Sequence, residues 1–385
     1  MSRTTVLSRL LVLAIVVLGS ILLIEVTRKT EAPLVACLML ASMWAIAPAL
    51  LFRSERLRSG ALLCSSVLFS LAAIECVLFY ALKPEVIVTK TVPETWRRNL
   101  AGVGFLPLPN TATRFEEFLD NRLIADVTYK IDCSGLREIS STVQGRPVKV
   151  AFFGDSFMFG HGVENDQTLP YYFVREAKGT VEGFNFGGEG WGPHQMLREI
   201  ESGFVQRVAG APDLAIYEVI PDHLRRVAGR APWEDGPKYV LCRGSDACYA
   251  GPFHGDNYRM YRHLLDKSWT VRFIDNHFAR VSRLSDLPLF LAVLKRTRSL
   301  LEENGTRFVI LVWDQNELAR TMMRSLQVNH FDVIALSSIF PESDLTKFPI
   351  TRPDKHPSAA TNQAIAKYLW EQVGEPLAVT NSQEK

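Results

Sequence analysis

Neither sign of charge dominates this chain: 43 lysines and arginines stand against 41 aspartates and glutamates over 385 residues, a net charge of +2. That balance removes the usual ground for expecting a nucleic-acid partner, which a strong basic excess would supply. Internal repeats and low-complexity tracts are absent, so a repeat architecture has no support. No histidine occurs in the first 85 residues, and all eight lie beyond them, so any histidine-dependent chemistry belongs to the later part of the chain. No small-residue cleavage site follows the first apolar run, which argues against a removed signal peptide. Leu34-Val35-Ala36-Cys37 has the form of a lipoprotein processing site, but Arg28-Lys29-Thr30-Glu31 breaks the apolar stretch that should precede it.

Long apolar runs, by contrast, are concentrated at one end. Residues 10–26, 32–52 and 59–82 are mostly apolar, and the last two each reach the length of roughly 20 residues that a bilayer crossing takes. Residues 1–85 therefore read as a membrane domain with three transmembrane helices. Arg53, Arg56 and Arg58 crowd the loop between the second and third runs, and Arg3 and Arg9 precede the first. The positive-inside tendency puts both regions in the cytoplasm and everything after Leu82 outside, giving a multi-pass inner-membrane protein with a periplasmic domain. Glu25 falls near the interface, where solvation explains it. Glu75, also toward the outer end of its helix, reads either as a helix-packing contact or as a functional group.

Six cysteines divide into three in the apolar runs and three beyond them. Cys242 and Cys248, in "CRGSDAC", suit a small disulfide loop in an oxidising compartment. The alternative is a zinc site with His254, although the spacings are wider than usual for that metal.

Residues 86–145 read as an extended leader or linker with one or two strands, 146–376 as a catalytic domain with an insertion at 228–285, and 377–385 as a tail. Apolar runs at 148–153, 181–186, 213–219 and 307–313 alternate with helical segments, as expected for a parallel sheet covered by helices on both faces. Ligands bind beyond the carboxyl ends of the strands in such sheets. The insertion, rich in Trp, Tyr, Gly and charge, reads either as a lid or acceptor platform or as a passive elaboration.

"VAFFGDSFMFGHGV", residues 150–163, ends a buried-strand pattern abruptly in Gly154-Asp155-Ser156. Ser156 then sits on the rim where an exposed nucleophile belongs, and a helix N-cap is the competing explanation for the same residues. "RPDKHPSAATNQAIAKYLWEQV" presents Asp354 and His356 immediately before a final helix. A loop of that form can hold an imidazole over the strand ends, with the carboxylate fixing its tautomer.

Over residues 148–373 these motifs resemble the SGNH, or GDSL-type, hydrolase family. The resemblance implies a flavodoxin-like sheet, with Ser156 as nucleophile, His356 as base and Asp354 as its orienting acid. "FNFGGEGWG" resembles the second block of the family, which makes Gly190 a backbone oxyanion donor. Two departures stand out: the acid is two residues before the histidine, where many members have three, and the third block, "YEVIPDHLRR", lacks the usual asparagine. Asp222 would repel an oxyanion, whereas His223, if protonated, would replace the missing donor. The other reading of His223 is a surface histidine in a basic stretch.

The resemblance implies a serine-dependent esterase acting on O-acyl esters of envelope glycans or lipids, with no cofactor and no metal. Two alternatives remain open: an O-acyltransferase decorating an exported polysaccharide, and a catalytically idle glycan-binding or assembly subunit. The expected partners are an acylated carbohydrate or lipid substrate, the membrane and an envelope polysaccharide assembly complex.

Overall fold

The computed structural model describes residues 16–21, 33–51, 54–81, 87–100, 102–140, 142–143, 145–230, 236–253, 264–265, 267–279, 281–340 and 351–383. The chain divides into two units, one made of residues 1–84 and 255–280 and the other of residues 85–254 and 281–385.

In the first unit, helices α1 (Pro33–Leu51) and α2 (Glu55–Ala81) pack together. Their contact centres on buried Ser42 and Ser65, each hydroxyl donating to the other residue's carbonyl at 3.0 Å. Among the described residues, α2 is the one helix both long and apolar enough to cross a membrane, where the sequence led us to expect three. The nineteen residues of α1 give a rise of about 28 Å, marginally short of a hydrocarbon core of about 30 Å. Of the first apolar run, only residues 16–21 are described, and they are helical. Glu25 lies outside the described residues.

The second unit opens with five strands, β1 (Ile87–Val92), β2 (Arg97–Leu100), β3 (Gly104–Pro107), β4 (Ala112–Leu119) and β5 (Arg122–Lys130). Strands β1, β4 and β5 form an antiparallel sheet, and β2 pairs with β3. The region read as a leader with one or two strands is thus largely β-structure. Alternation in "RFEEFL" and "ADVTYK" turns Phe115, Ala125, Val127 and Tyr129 to one buried face, where they meet Trp96 and Phe159. Phe159 lies three residues past Ser156, so this small sheet supports the turn that carries the candidate nucleophile.

The central sheet comprises β6 (Val148–Phe153), β7 (Val181–Asn185), β8 (Leu214–Val219), β11 (Arg307–Val312) and β12 (Asp332–Ala335), all parallel, in the order β12-β11-β8-β6-β7. Numbered along the chain this is the 2-1-3-4-5 order of flavodoxin-like folds, with its switch point between β6 and β8. Period-two alternation sorts the strand residues between two cores. Ala151, Phe153, Tyr217 and Ile310 pack with Phe290 and Leu294 on one side. Val150, Phe152, Ile216 and Val309 pack with Phe173 and Ile365 on the other. Burial on both faces is why these strands read as continuous apolar runs. Truncating Phe152 to alanine should cost about 3–5 kcal/mol, the usual loss for a buried aromatic.

Helices α3 (Ser156–Phe159) and α4 (Leu169–Glu176) connect β6 to β7; α5 (Pro193–Glu201) precedes β8, and α6 (Asp222–Val227) follows it. The insertion contains the hairpin β9 (Pro237–Cys242) and β10 (Asp246–Pro252), closed by a Cys242–Cys248 disulfide with the Cα atoms 6.0 Å apart. With these sulfurs joined, the cysteine pair is not a metal-binding thiolate pair; His254 lies outside the described residues. Helix α7 (Leu287–Glu302) leads to β11, and α8 (Ala359–Leu369) packs against α4.

Candidate active site

Strand β6 ends at the switch point, and the chain turns sharply into the single turn of α3. Gly154 is required there because a Cβ would lie 2.7 Å from Glu218 Oε2 and 2.8 Å from Met158 Cβ. The cap of α3 is Asp155, whose Oδ1 accepts the Phe157 N–H at 2.9 Å. Ser156 is therefore the first helical residue and not the cap, which leaves its hydroxyl for other work.

The Ser156 hydroxyl lies 2.9 Å from His356 Nε2, and His356 Nδ1 lies 3.0 Å from Asp354 Oδ2. Burial works against a charge on Asp354, but the His356 hydrogen bond and the charges of His356 and Arg352 hold its carboxyl below the usual range. An ionised Asp354 can only accept, so Nδ1 carries a proton, and in the neutral form of the ring Nε2 is left to accept from the serine. The two-residue spacing between acid and base works because the loop is a tight turn. The Arg352 N–H donates to the His356 carbonyl at 2.7 Å, Thr351 bridges Pro357, and Lys355 adopts a left-handed φ of +70°. Ser358 then caps α8, accepting the Thr361 N–H at 3.2 Å.

A second imidazole lies against the first. The His161 ring stacks on His356, with centroids 4.2 Å apart and planes 29° apart. Its Nδ1 is 2.7 Å from Glu189 Oε1 and its Nε2 is 3.0 Å from Glu117 Oε1. Glu189 is paired with Arg97, and Glu117 accepts from Arg352 at 3.2 Å. Arg352 also donates to the His161 carbonyl at 2.9 Å and approaches Asp354 to 3.5 Å. Gly162, at φ +68°, makes room for that guanidinium, since a Cβ there would overlap it at 1.5 Å from Nη1. The network joins the antiparallel sheet, the nucleophile turn, the loop after β7 and the His356 turn.

On the opposite flank, Asp155 Oδ2 accepts from Arg226 Nη1 at 2.6 Å, and the same nitrogen donates to the Trp191 carbonyl at 2.6 Å. Burial alone would raise the Asp155 pKa, but Arg226 and His223 outweigh it and keep the carboxyl ionised. Glu218 beside it is pushed well above the ordinary carboxyl range, first by burial and then by the Asp155 charge.

The expectation for His223 needs correction. Its side chain is fully buried, Nδ1 meets the Tyr217 hydroxyl at 2.8 Å, and Nε2 faces Asp155 at 3.5 Å. Burial also lowers its pKa against the pull of Asp155, so the ring is neutral and directed into the core, not towards an oxyanion. Nor is it a surface residue. Asp222 is held ionised, despite partial burial, by Arg225 and Arg226. Gly190 lies in a half-buried turn at φ +73°, directly after Glu189, in a loop fastened to the end of β6 by the Gly188 N–H to the Gly154 carbonyl at 3.2 Å. Sequence reasoning missed Arg226, His161, Glu117, Glu189 and Arg352. The one available signal was "GHG" immediately after the serine, a histidine between two glycines beside a candidate nucleophile.

No protein-family profile and no curated protein matches the chain. Among solved structures it is similar to a lipolytic protein of the G-D-S-L family from Desulfitobacterium hafniense, at 12% identity over 58% of this chain and 98% of that one, TM-score 0.36. It is similar also to a G-D-S-L lipolytic protein from Veillonella parvula, at 13% identity over 59% and 98% of the two chains, TM-score 0.35. A third similar structure is a catalytic mutant of an acetylxylan esterase from Geobacillus stearothermophilus, at 13% identity over 60% and 96%, TM-score 0.34.

Proposed function

We propose that this chain is a membrane-tethered serine esterase of SGNH type. The observation that carries the reading is the unbroken line Ser156–His356–Asp354, with bonds of 2.9 and 3.0 Å ending on a carboxylate kept ionised. In this reading Ser156 Oγ attacks the ester carbonyl and gives its proton to His356 Nε2. The carbonyl π-bond electrons move onto oxygen, and the N–H groups of Ser156 and Gly190 receive that charge. His356 then returns the proton to the departing alkoxide, leaving an acyl-serine. Water, activated by the same imidazole, releases the acid and restores the hydroxyl.

The substrates in this reading are O-acyl esters of envelope glycans or lipids. The tether is α2, with the catalytic unit on the periplasmic side as the arginines at 53, 56 and 58, before and within its first turn, direct. Exposed Leu62, Leu63, Val67, Phe69, Leu71, Ile74 and Val77 along α2 support it, since a surface so apolar calls for a lipid covering. The full-length protein in detergent should hydrolyse short-chain aryl esters, and Ser156→Ala should remove that activity while leaving thermal unfolding unchanged. Equal turnover by the variant would refute the reading.

A further inference from the structure

Glu75 is the one charged side chain of α2 beyond Arg58, only 3% exposed, and nothing in the esterase reading uses it. It lies six residues before the end of α2, about 9 Å along the axis at 1.5 Å per residue. A carboxylate at that depth of a membrane helix is costly unless it is fully partnered. Its partners all come from one distant stretch of the same unit. Glu75 accepts from the Ser268 hydroxyl, from the Trp269 N–H at 2.8 Å and from the Thr270 N–H at 3.1 Å. It thereby satisfies the first turn of the short helix Trp269–Ile274, where Ser268 also accepts the Val271 N–H at 3.1 Å. The rings of Phe79 and Trp269 meet edge to face at 5.4 Å.

The stretch also carries exposed apolar side chains. Leu264 is 44% exposed, Ile274 51% and Phe278 60%, while on α2 at the same level Ile74 is 47% exposed and Val77 64%. The Glu75 hydrogen bonds and the Phe79–Trp269 contact hold the stretch against α2, so an apolar medium covering α2 at that level reaches the stretch as well. Its composition is that of an interfacial element: Trp269, Phe273, Ile274 and Phe278 interleaved with Lys267, Arg272 and His277, the Arg272 guanidinium lying 4.7 Å from the Trp269 ring.

We propose that residues 264–265 and 267–279 lie in the outer lipid–water interface, docked to α2 through Glu75, with Ile274 and Phe278 in contact with lipid. Glu75 is then a docking residue, and the insertion returns to the membrane. The proposal rests on α2 crossing the bilayer, and the test separates the two claims.

Spin labels are placed one at a time on the full-length protein in phosphatidylethanolamine–phosphatidylglycerol vesicles. The background has Cys37, Cys64, Cys76 and Cys133 replaced by serine; the labels go on Val67→Cys, on Phe278→Cys or on Cys133 restored. Collisions with oxygen and with a water-soluble nickel chelate are then compared. Labels at Val67→Cys and Phe278→Cys should favour oxygen, and the label at Cys133 should favour nickel. Nickel exceeding oxygen at Phe278→Cys, with Val67→Cys still in lipid, would overturn the proposal and leave the membrane reading of α2 intact. Low access to both reagents at Phe278→Cys would mean that protein covers it, which also overturns the proposal. Nickel access at Val67→Cys would overturn the membrane reading itself. Adding Glu75→Ala should shift the Phe278→Cys label towards nickel, whereas Glu75→Gln, which keeps an acceptor oxygen, should shift it less. No shift with Glu75→Ala would remove Glu75 from the docking.

Discussion

Asp354 and Asp155 flank the same serine and have the same kinds of partner, a histidine and an arginine. Asp354 has His356 at 3.0 Å and Arg352 at 3.5 Å; Asp155 has His223 at 3.5 Å and Arg226 at 2.6 Å. Both carboxyls are kept ionised. They differ in where the histidine goes next. The His356 side chain is 20% exposed and its far nitrogen reaches Ser156, whereas His223 is sealed at 0% and its far nitrogen reaches Tyr217 in the core. One cluster can pass a proton to and from a substrate; the other can only hold the nucleophile turn against β8 and α6. Residue type and pairing do not distinguish the cluster we propose as catalytic from the one that holds the turn. Direction and access do.

The largest expected contrast is between the two histidines. His356→Ala should lower kcat/KM by on the order of 10⁴ to 10⁶ with little change in melting temperature. His223→Ala should instead destabilise the fold by about 1–3 kcal/mol, because the Tyr217 hydroxyl loses its buried partner. Steady-state kinetics and denaturant titration on both variants separate the effects. A catalytic loss in His223→Ala equal to that in His356→Ala would erase the contrast.

The aspartates give the next pair. Asp354→Asn should cost about 10²- to 10⁴-fold in kcat through the wrong imidazole tautomer. Asp155→Asn should cost about 1.5–3 kcal/mol of stability, because Arg226 loses its 2.6 Å charged partner and keeps only Asp222 at 3.5 Å. Circular dichroism melts with parallel turnover assays test both, and a fully stable Asp155→Asn protein would count against the assignment.

The strands of the central sheet could be read from composition because burial on both faces leaves an apolar run in the chain itself. Ser156, Asp354 and His356 could be picked out because each sits in a short local motif. The support around them had no such mark: Glu117 and Arg352 meet across 235 positions, and Asp155 and Arg226 across 71, so only the fold brings them together. His223 was misjudged for a related reason. Its neighbours Arg225 and Arg226 suggested a surface, yet Arg226 itself points inward to Asp155. The antiparallel sheet was underestimated because its strands are charged on one face, and β12, with one exposed and three partly exposed residues, has only the short apolar run Val333-Ile334-Ala335.

His161 tests whether the network beside His356 matters to the chemistry. His161→Ala should lower kcat about 10- to 100-fold with KM little changed, since a ring displaced by a fraction of an ångström loses its alignment. His161→Phe keeps the stacking face and should recover part of that loss. A pH–kcat profile that moves in His161→Ala would separate positioning of the base from simple loss of packing.

The smallest effect is electrostatic. The pKa of Glu218 is raised in the folded state, so the native protein holds a proton that the unfolded chain releases. Its contribution to stability is fully present below the ordinary carboxyl value and is lost as pH rises towards the folded one. Glu218→Gln removes that dependence, so denaturant titrations at pH 5 and pH 8 should show the variant gaining on the parent at the higher pH. A constant difference at the two pH values would mean that Glu218 is ionised in the fold.

The most direct measurement of the central claim, that Ser156 is a nucleophile activated by His356, is the rate and site of fluorophosphonate labelling read by peptide mass spectrometry. The account predicts a single adduct on Ser156, its rate strongly reduced in His356→Ala and nearly unchanged in a folded His223→Ala protein. Labelling elsewhere, or labelling of Ser156 at full rate without His356, would contradict it.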